Sequence, residues 1–136
     1  MYLLDTNILS ELIKKRPHRQ LLTNLRSKPA HVLFTSCICI MELRFGSMLR
    51  ADSDKFWERI SREIISRVNI IQIGAKEALT AGDILAALRK TGQIIGIEDV
   101  LIAASALANQ CNLVTANTRH FSRIKGLKVE NWLTGY

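Results

Sequence analysis

The segment Tyr2-Leu3-Leu4-Asp5-Thr6-Asn7 opens with apolar residues and then turns polar. A short apolar run that ends at polar residues predicts a buried β-strand over Tyr2-Leu3-Leu4. Over residues 7–14 the apolar side chains recur at helical spacing, at Ile8, Leu9, Leu12 and Ile13. The segment therefore predicts a strand that passes directly into a helix, with Asp5 at the junction.

The same alternation of strand and helix patterns continues along the whole chain. Further strands are predicted at residues 32–35, 69–73, 113–115 and 127–130. Further helices are predicted at residues 17–28, 38–49, 52–68, 76–90 and 98–110. In the helix over 38–49 the spacing predicts an inward face formed by Ile38, Met41, Phe45, Met48 and Leu49. Alternation of this kind predicts an α/β fold with a parallel sheet and helices on both of its faces.

The composition is that of an ordinary globular protein. The chain has 136 residues, of which 48% are hydrophobic and 23% charged, so we expect a single domain over 1–136 rather than a disordered chain. The first residues lack the basic segment of a signal peptide and soon reach Asp5, and the uncharged run over 100–118 is too polar to span a membrane. We therefore expect a cytoplasmic protein without a membrane partner.

The cysteines indicate neither a disulfide framework nor a zinc site. There are three, and two of them form Cys37-Ile38-Cys39. No histidine or further cysteine stands at zinc-ligand spacing from this pair. We expect free thiols, as in a reducing cytoplasm.

Acidic and amide side chains fall where a parallel sheet binds its ligands. Asp5 follows the first strand and Asn117 follows the strand at 113–115, so both belong at the carboxyl edge of the sheet. Glu42 lies among apolar residues of its helix, where an unpaired carboxylate is costly. Asp99 lies in the first turn of the helix over 98–110.

Each of these residues also has a purely structural explanation. Asp5 is a suitable helix cap, Asp99 complements a helix N-terminus, and Asn117 suits a turn. Glu42 has a possible basic partner in Arg44. Taken together, converging carboxylates about 4 Å apart would repel by about 4 kcal/mol per pair at an effective dielectric constant of about 20. A divalent cation removes that repulsion, and oxygen ligands without cysteine favour Mg²⁺ or Mn²⁺ over zinc.

The charge balance favours an anionic partner. Lysine and arginine total 19 against 12 acids, a net charge of +7, so an anionic polymer is the first candidate and an anionic membrane surface the second. Basic residues concentrate in two segments, one between Leu12 and Met41 and the other near the end of the chain. The candidate RNA-binding residues are Lys14, Lys15, Arg16, Arg19, Arg119 and Arg123. The alternative for such segments is an ordinary solvated surface.

Four segments in order resemble the PIN-domain ribonucleases, and more narrowly the VapC-like toxins of bacterial toxin–antitoxin pairs. They are Leu4-Asp5-Thr6-Asn7, Met41-Glu42-Leu43-Arg44-Phe45-Gly46, the run 95–104 and the run 113–121. The ending over 127–132 also matches. Each motif is weak alone, whereas their common order and spacing over nearly the whole chain are specific.

The resemblance implies a three-layer α/β/α PIN-like fold, with a central parallel sheet of about five strands. It implies an endoribonuclease dependent on Mg²⁺, with Mn²⁺ as the alternative, and metal ligands at Asp5, Glu42 and Asp99. The supporting residues that it implies are Thr6, Asn7 and Thr115. The chain departs from the family at Asn117, where many members have a fourth acid. The resemblance still implies a catalytic role for Asn117. Because the fourth negative charge is missing, binding of a second metal ion is in doubt.

The resemblance further implies that metal-activated water cuts RNA and leaves a 5′-phosphate. It implies a cognate antitoxin protein, a homodimer and a toxin–antitoxin hetero-oligomer. The alternative is a catalytically weak PIN-like module that binds RNA or protein. A haloacid-dehalogenase-like phosphatase would need a second Asp where the chain has Asn7. A response-regulator receiver would need its acceptor Asp after a middle strand, and no such residue is found.

Overall fold

The structure, a computed structural model, describes residues 1–134. Its strands are β1 (Tyr2–Leu4), β2 (Leu33–Ser36), β3 (Asn69–Ile71), β4 (Asn112–Val114) and β5 (Val129–Glu130). They form one sheet in the order β3-β2-β1-β4-β5, and every neighbouring pair is parallel. The predicted parallel sheet of about five strands is confirmed.

Seven helices connect these strands within the described residues. They are α1 (Thr6–Leu12), α2 (Arg19–Arg26), α3 (Cys37–Met48), α4 (Ser53–Glu63), α5 (Ala75–Lys90), α6 (Ile97–Ala108) and α7 (Thr118–Phe121). The helix predicted over 52–68 ends at Glu63, and a 3₁₀ turn follows at Ile65–Arg67. The β-branched Ile64 and Ile65 disfavour a further α-helical turn at that point. No helix in residues 1–134 has the length and apolarity that a membrane crossing requires.

Both faces of the sheet are covered. Neighbouring residues of a strand point to opposite faces, and Leu3 and Leu4 are both fully buried, as are Leu113 and Val114. Helices must therefore pack on each side, which confirms the three-layer α/β/α architecture.

The helix α3 corrects the prediction of its buried face. The side chains that it buries are Cys39, Leu43 and Ser47. The predicted inward residues Met41, Phe45, Met48 and Leu49 are exposed, Phe45 to 67%. Apolar residues occur on every side of this helix, so their spacing cannot select the side that packs on the sheet.

The strands β1 and β4 meet at the switch point of the sheet. Leu4 pairs with Val114, and the amide of Asp5 donates to the carbonyl of Val114 at 2.9 Å. The chain leaves β1 toward β2 and leaves β4 toward β5, in opposite directions along the sheet. Ligands of doubly wound sheets bind at such a crevice. The residues that directly follow β1 and β4 therefore face a candidate site.

Candidate metal centre

Asp5 is the most buried acid of this crevice, with 5% of its surface exposed. It is the N-cap of α1, and its Oδ1 accepts from the Thr6 amide at 2.8 Å. Its Oδ2 accepts from Thr115 Oγ1 at 2.8 Å and from Asn7 Nδ2 at 3.3 Å. Burial raises the pKa of Asp5, and the charge of Asp99 adds to that rise, whereas the hydrogen bonds oppose it. Asp5 therefore does cap α1, and its carboxylate is also repelled by the charge of Asp99.

Asn7 and Thr115 tie the loop after β1 to the loop after β4. Besides its bond to Asp5, Asn7 Nδ2 donates to Thr115 Oγ1 at 3.3 Å, and Asn7 Oδ1 accepts from the Ala116 amide at 3.0 Å. Thr115 is fully buried and accepts from the amide of Asn117 at 3.0 Å. These neutral groups fix the orientation of Asp5 without cancelling its charge.

Glu42 reaches the crevice from α3. Thr6 Oγ1 donates to Glu42 Oε1 at 2.6 Å, which joins the start of α1 to α3. Burial raises the pKa of Glu42, and the carboxylates of Asp5 and Asp99 raise it further. Arg44 does not neutralise Glu42, because its guanidinium lies over the ring of Trp57 at 4.9 Å.

Asp99 enters from the first turn of α6 and is half-buried. Its charge adds to the rise that burial gives the pKa of Asp5 and of Glu42, so Asp99 lies within electrostatic range of both carboxylates. Its Oδ2 lies 3.0 Å from Nε2 of His120, on α7. Sequence reasoning gave His120 no role in the site. The available signal was its position three residues after Asn117 on the predicted site loop.

Asn117 lies beside this network but outside its buried part. It is exposed at the N-cap position of α7, and its side chain does not cap that helix. Only its backbone amide contacts the network, through Thr115. The further acid Glu98 is exposed and adds a small repulsion to Glu42. Asn117 thus remains a predicted site residue.

Cys39 is a buried neighbour that the sequence did not place in the site. Its Sγ lies 3.9 Å from Asp5 Oδ1, and donor atoms of Asp5, Cys39 and Glu42 all lie within 4.8 Å of one another. Burial, with the charge of Asp5, raises the pKa of Cys39 to about 12. The group stays a protonated thiol at neutral pH, and a thiol is not a metal ligand. All three cysteines are free, as predicted.

The donor set of the crevice therefore fits a hard divalent cation. Its charged ligand atoms are carboxylate oxygens, with neutral oxygens of Thr6 and Thr115 close by. Mg²⁺ and Mn²⁺ take such oxygen ligands and retain water. Burial is the main cause of the raised pKa of Asp5 and Glu42, and a cation here would favour their charged forms and cancel the repulsion that adds to the rise.

The predicted RNA-binding residues lie in two separate segments of the chain, 14–19 and 119–123. All six are exposed. Arg119 follows Asn117 by two residues, on α7. Lys14, Lys15 and Arg16 follow the far end of α1, roughly 10 Å along the helix axis from Asp5, and Lys14 pairs with Glu11 at 2.7 Å. The structure does not gather them into one cluster, so their contact with RNA stays a prediction.

Comparisons with known proteins assign the family. The PIN domain model matches residues 2–127. A protein named Ribonuclease VapC2 from Haemophilus influenzae is 36% identical over 97% of this chain and 98% of its own length. A tRNA(fMet)-specific endonuclease VapC from Shigella flexneri is 32% identical over 96% and 97%, respectively.

A solved structure gives the same assignment. The structure of VapBC2 from Rickettsia felis, bound to a DNA fragment from its promoter, contains a chain with a TM-score of 0.88. That chain is 34% identical, with 96% of this chain and 98% of the other covered. The protein therefore belongs to the PIN domain family, among the VapC ribonucleases.

Proposed function

We propose that this protein is a Mg²⁺-dependent endoribonuclease, and that it acts as the toxin of a toxin–antitoxin pair. Ribonuclease activity agrees with its place among the VapC ribonucleases. The observation that carries the metal dependence is the close approach of the Asp5 and Glu42 carboxylates, which have oxygens within 4.8 Å of each other. Burial raises the pKa of both groups, the charge of Asp99 raises it further, and no basic side chain of residues 1–134 pairs with either one. Mn²⁺ would serve in place of Mg²⁺.

In this proposal the chain supplies a pre-arranged set of oxygen ligands. Thr115, Asn7 and the Thr6 amide hold Asp5, and the Thr6 hydroxyl holds Glu42. A bound divalent ion would activate a water molecule and stabilise charge on the phosphate. Asn117 would contribute a carbonyl oxygen or orient that water, without adding charge. The product would carry a 5′-phosphate.

The exposed basic side chains would guide the RNA. Arg119 lies on α7 and Arg123 lies just beyond its end, whereas Lys14, Lys15 and Arg16 lie beyond the end of α1. Lysine and arginine bind phosphates whatever the sequence of the RNA, so these residues would position a strand rather than select a base.

We further propose that the chain forms homodimers and binds a cognate antitoxin protein in the cytoplasm. The solved VapBC relatives contain both components. Support within this chain comes from an exposed apolar row on α3 and its C-cap, formed by Met41, Phe45, Met48 and Leu49. An apolar surface of this kind is typical of a protein interface. Light scattering should show a smaller particle for Phe45→Ser than for the control Leu79→Ser on α5, and equal particles would remove α3 from the interface.

The decisive experiment is cleavage of cellular RNA by the purified protein, with Mg²⁺ or with EDTA. We expect new ends that carry 5′-phosphates, in Mg²⁺ only, and their loss in Asp5→Asn. Asp83→Asn is the matched control, because Asp83 is exposed on α5 and outside the crevice. RNA binding without Mg²⁺-dependent cleavage would favour the alternative of a catalytically weak binding module. Cleavage that persists in EDTA would contradict the metal mechanism.

A further inference from the structure

The three acids of the crevice are held very unequally. Asp5 accepts from the Thr6 amide, Thr115 and Asn7, and Glu42 accepts from Thr6. Among residues 1–134, the side chain of Asp99 has one polar partner, Nε2 of His120 at 3.0 Å. The orientation of the Asp99 carboxylate therefore depends on a single contact between α6 and α7.

The structure fixes His120 well enough to act as that partner. Its ring meets the ring of Phe121 edge-on, with centroids 5.5 Å apart and an angle of 84° between planes. Phe121 is 1% exposed and belongs to the core, so α7 is anchored where it presents His120. The side chains of His120 and Asp99 are 25% and 33% exposed, so solvent screens this contact less than it screens a surface pair.

The chemistry of the contact suits a carboxylate that must bind a cation with its other oxygen. A histidine donates from Nε2 when neutral in that tautomer and also when protonated, so the contact does not require an added charge. The histidine contacts Oδ2 of Asp99, so that Oδ1 of the same carboxylate can bind the cation. Residues that hold metal-binding side chains from behind in this way typically change metal affinity about 10- to 100-fold when they are replaced.

We propose that His120 is a positioning residue for Asp99, which it holds in the orientation that binds the divalent cation. The inference rests on the proposed metal centre and adds a residue to it. His120 orients Asp99 in the same way as Thr115 and Asn7 orient Asp5. The alternatives are that His120 binds the cation itself, or that the contact only stabilises the fold.

Three variants separate these roles. His120→Phe keeps an aromatic ring against Phe121 but removes the donor, and His120→Ala removes both. His120→Gln keeps an N–H donor at a position close to Nε2 but lacks the imidazole nitrogen that binds metals well. The matched control is His31→Ala, because His31 is exposed and lies in the 3₁₀ turn before β2, at the end of that strand opposite the crevice.

The experiment is a calorimetric titration of each purified variant with Mn²⁺, together with thermal unfolding in EDTA. We expect a loss of about tenfold or more in Mn²⁺ affinity for His120→Phe and His120→Ala, near-parental affinity for His120→Gln and for the control, and folded proteins throughout. In an Asp99→Asn background, His120→Phe should cause no further loss.

Other outcomes overturn the inference. Parental Mn²⁺ affinity in His120→Phe or, if that variant does not fold, in His120→Ala would show that the contact does not position Asp99. An equal loss in His120→Gln and His120→Phe, retained in the Asp99→Asn background, would make His120 a direct ligand. A parent protein that binds no Mn²⁺ would instead refute the metal centre itself, and with it this inference.

Discussion

Asp5 and Asp99 belong to one acidic crevice but stand in different surroundings. Asp5 is 5% exposed and accepts three hydrogen bonds from residues next to β1 and β4. Asp99 is half-buried, lies in the first turn of α6 and has His120 as its polar partner. One half of the site is therefore built into the sheet, whereas the other half depends on how α6 and α7 pack.

The largest expected effect concerns the half that is built into the sheet. Asp5→Asn should lower Mg²⁺-dependent cleavage by more than about 100-fold, because loss of a ligand should exceed the usual effect of its supporting residues. The variant should still fold, since the asparagine oxygen can accept from the Thr6 amide and cap α1. Cleavage rates and thermal melting in EDTA, with Asp83→Asn as control, check this. A variant that melts far below the parent would make Asp5 chiefly a structural cap.

Next in size is the effect of the basic residues beyond α1. Replacing Lys14, Lys15 and Arg16 with serine should weaken RNA binding and make it less dependent on salt. If each residue contacts one phosphate, the slope of log binding constant against log salt concentration should become less steep by about 2. Binding measured over a series of salt concentrations tests this. The same substitution at Lys76, Arg89 and Lys90, which are exposed on α5, would be the control. An unchanged slope would show that the three residues are ordinary solvated surface residues that do not contact RNA.

A smaller effect is expected at Asn117, which lies at the edge of both halves. Asn117→Asp adds a carboxylate at an exposed position beside Thr115. It should lower the Mg²⁺ concentration needed for half-maximal cleavage by a few-fold, roughly what one added charge–charge interaction near a surface gives. Asn117→Ala should cost less activity than Asp5→Asn. If both variants follow the parent in a Mg²⁺ titration, Asn117 is only a turn residue.

The smallest expected effect is on stability and depends on pH. Burial and the neighbouring acids raise the pKa of Glu42, so the native state holds its proton more tightly than the unfolded state does. The parent without metal should therefore lose stability as pH rises from the ordinary glutamate pKa through the raised one. Glu42→Gln should not show that loss, because glutamine does not titrate. The variant should therefore be more stable than the parent at neutral pH, and the difference should vanish at low pH. Denaturant unfolding in EDTA at several pH values tests this, and a constant difference would contradict it.

The buried half of the site could be predicted from the sequence, because strand ends carry local signals. The apolar run before Asp5 and the run before Thr115 identify two parallel strands, whose carboxyl ends share an edge. The contact of His120 with Asp99 and that of Cys39 with Asp5 carry no such signal. They depend on how α7 meets α6 and how α3 rotates on the sheet.

The error at α3 has the same origin. Its apolar residues lie all round the helix, so spacing alone could not show that Cys39 and Leu43 face inward while Phe45 faces solvent. By contrast, α6 is also apolar on nearly every side, but most of its residues from Val100 to Ala106 are buried. Sequence predicts that both helices are apolar, but only packing determines how much of each surface is covered.

The most direct test of the metal centre is diffraction from crystals soaked in Mn²⁺, with data collected to reveal anomalous scattering. We expect one strong peak within coordination distance, about 2.0–2.3 Å, of carboxylate oxygens of Asp5 and Asp99, with Glu42 as a ligand directly or through water. His120 should stay on Oδ2 of Asp99. No peak in the crevice at saturating Mn²⁺, or one held by other residues, would contradict the account.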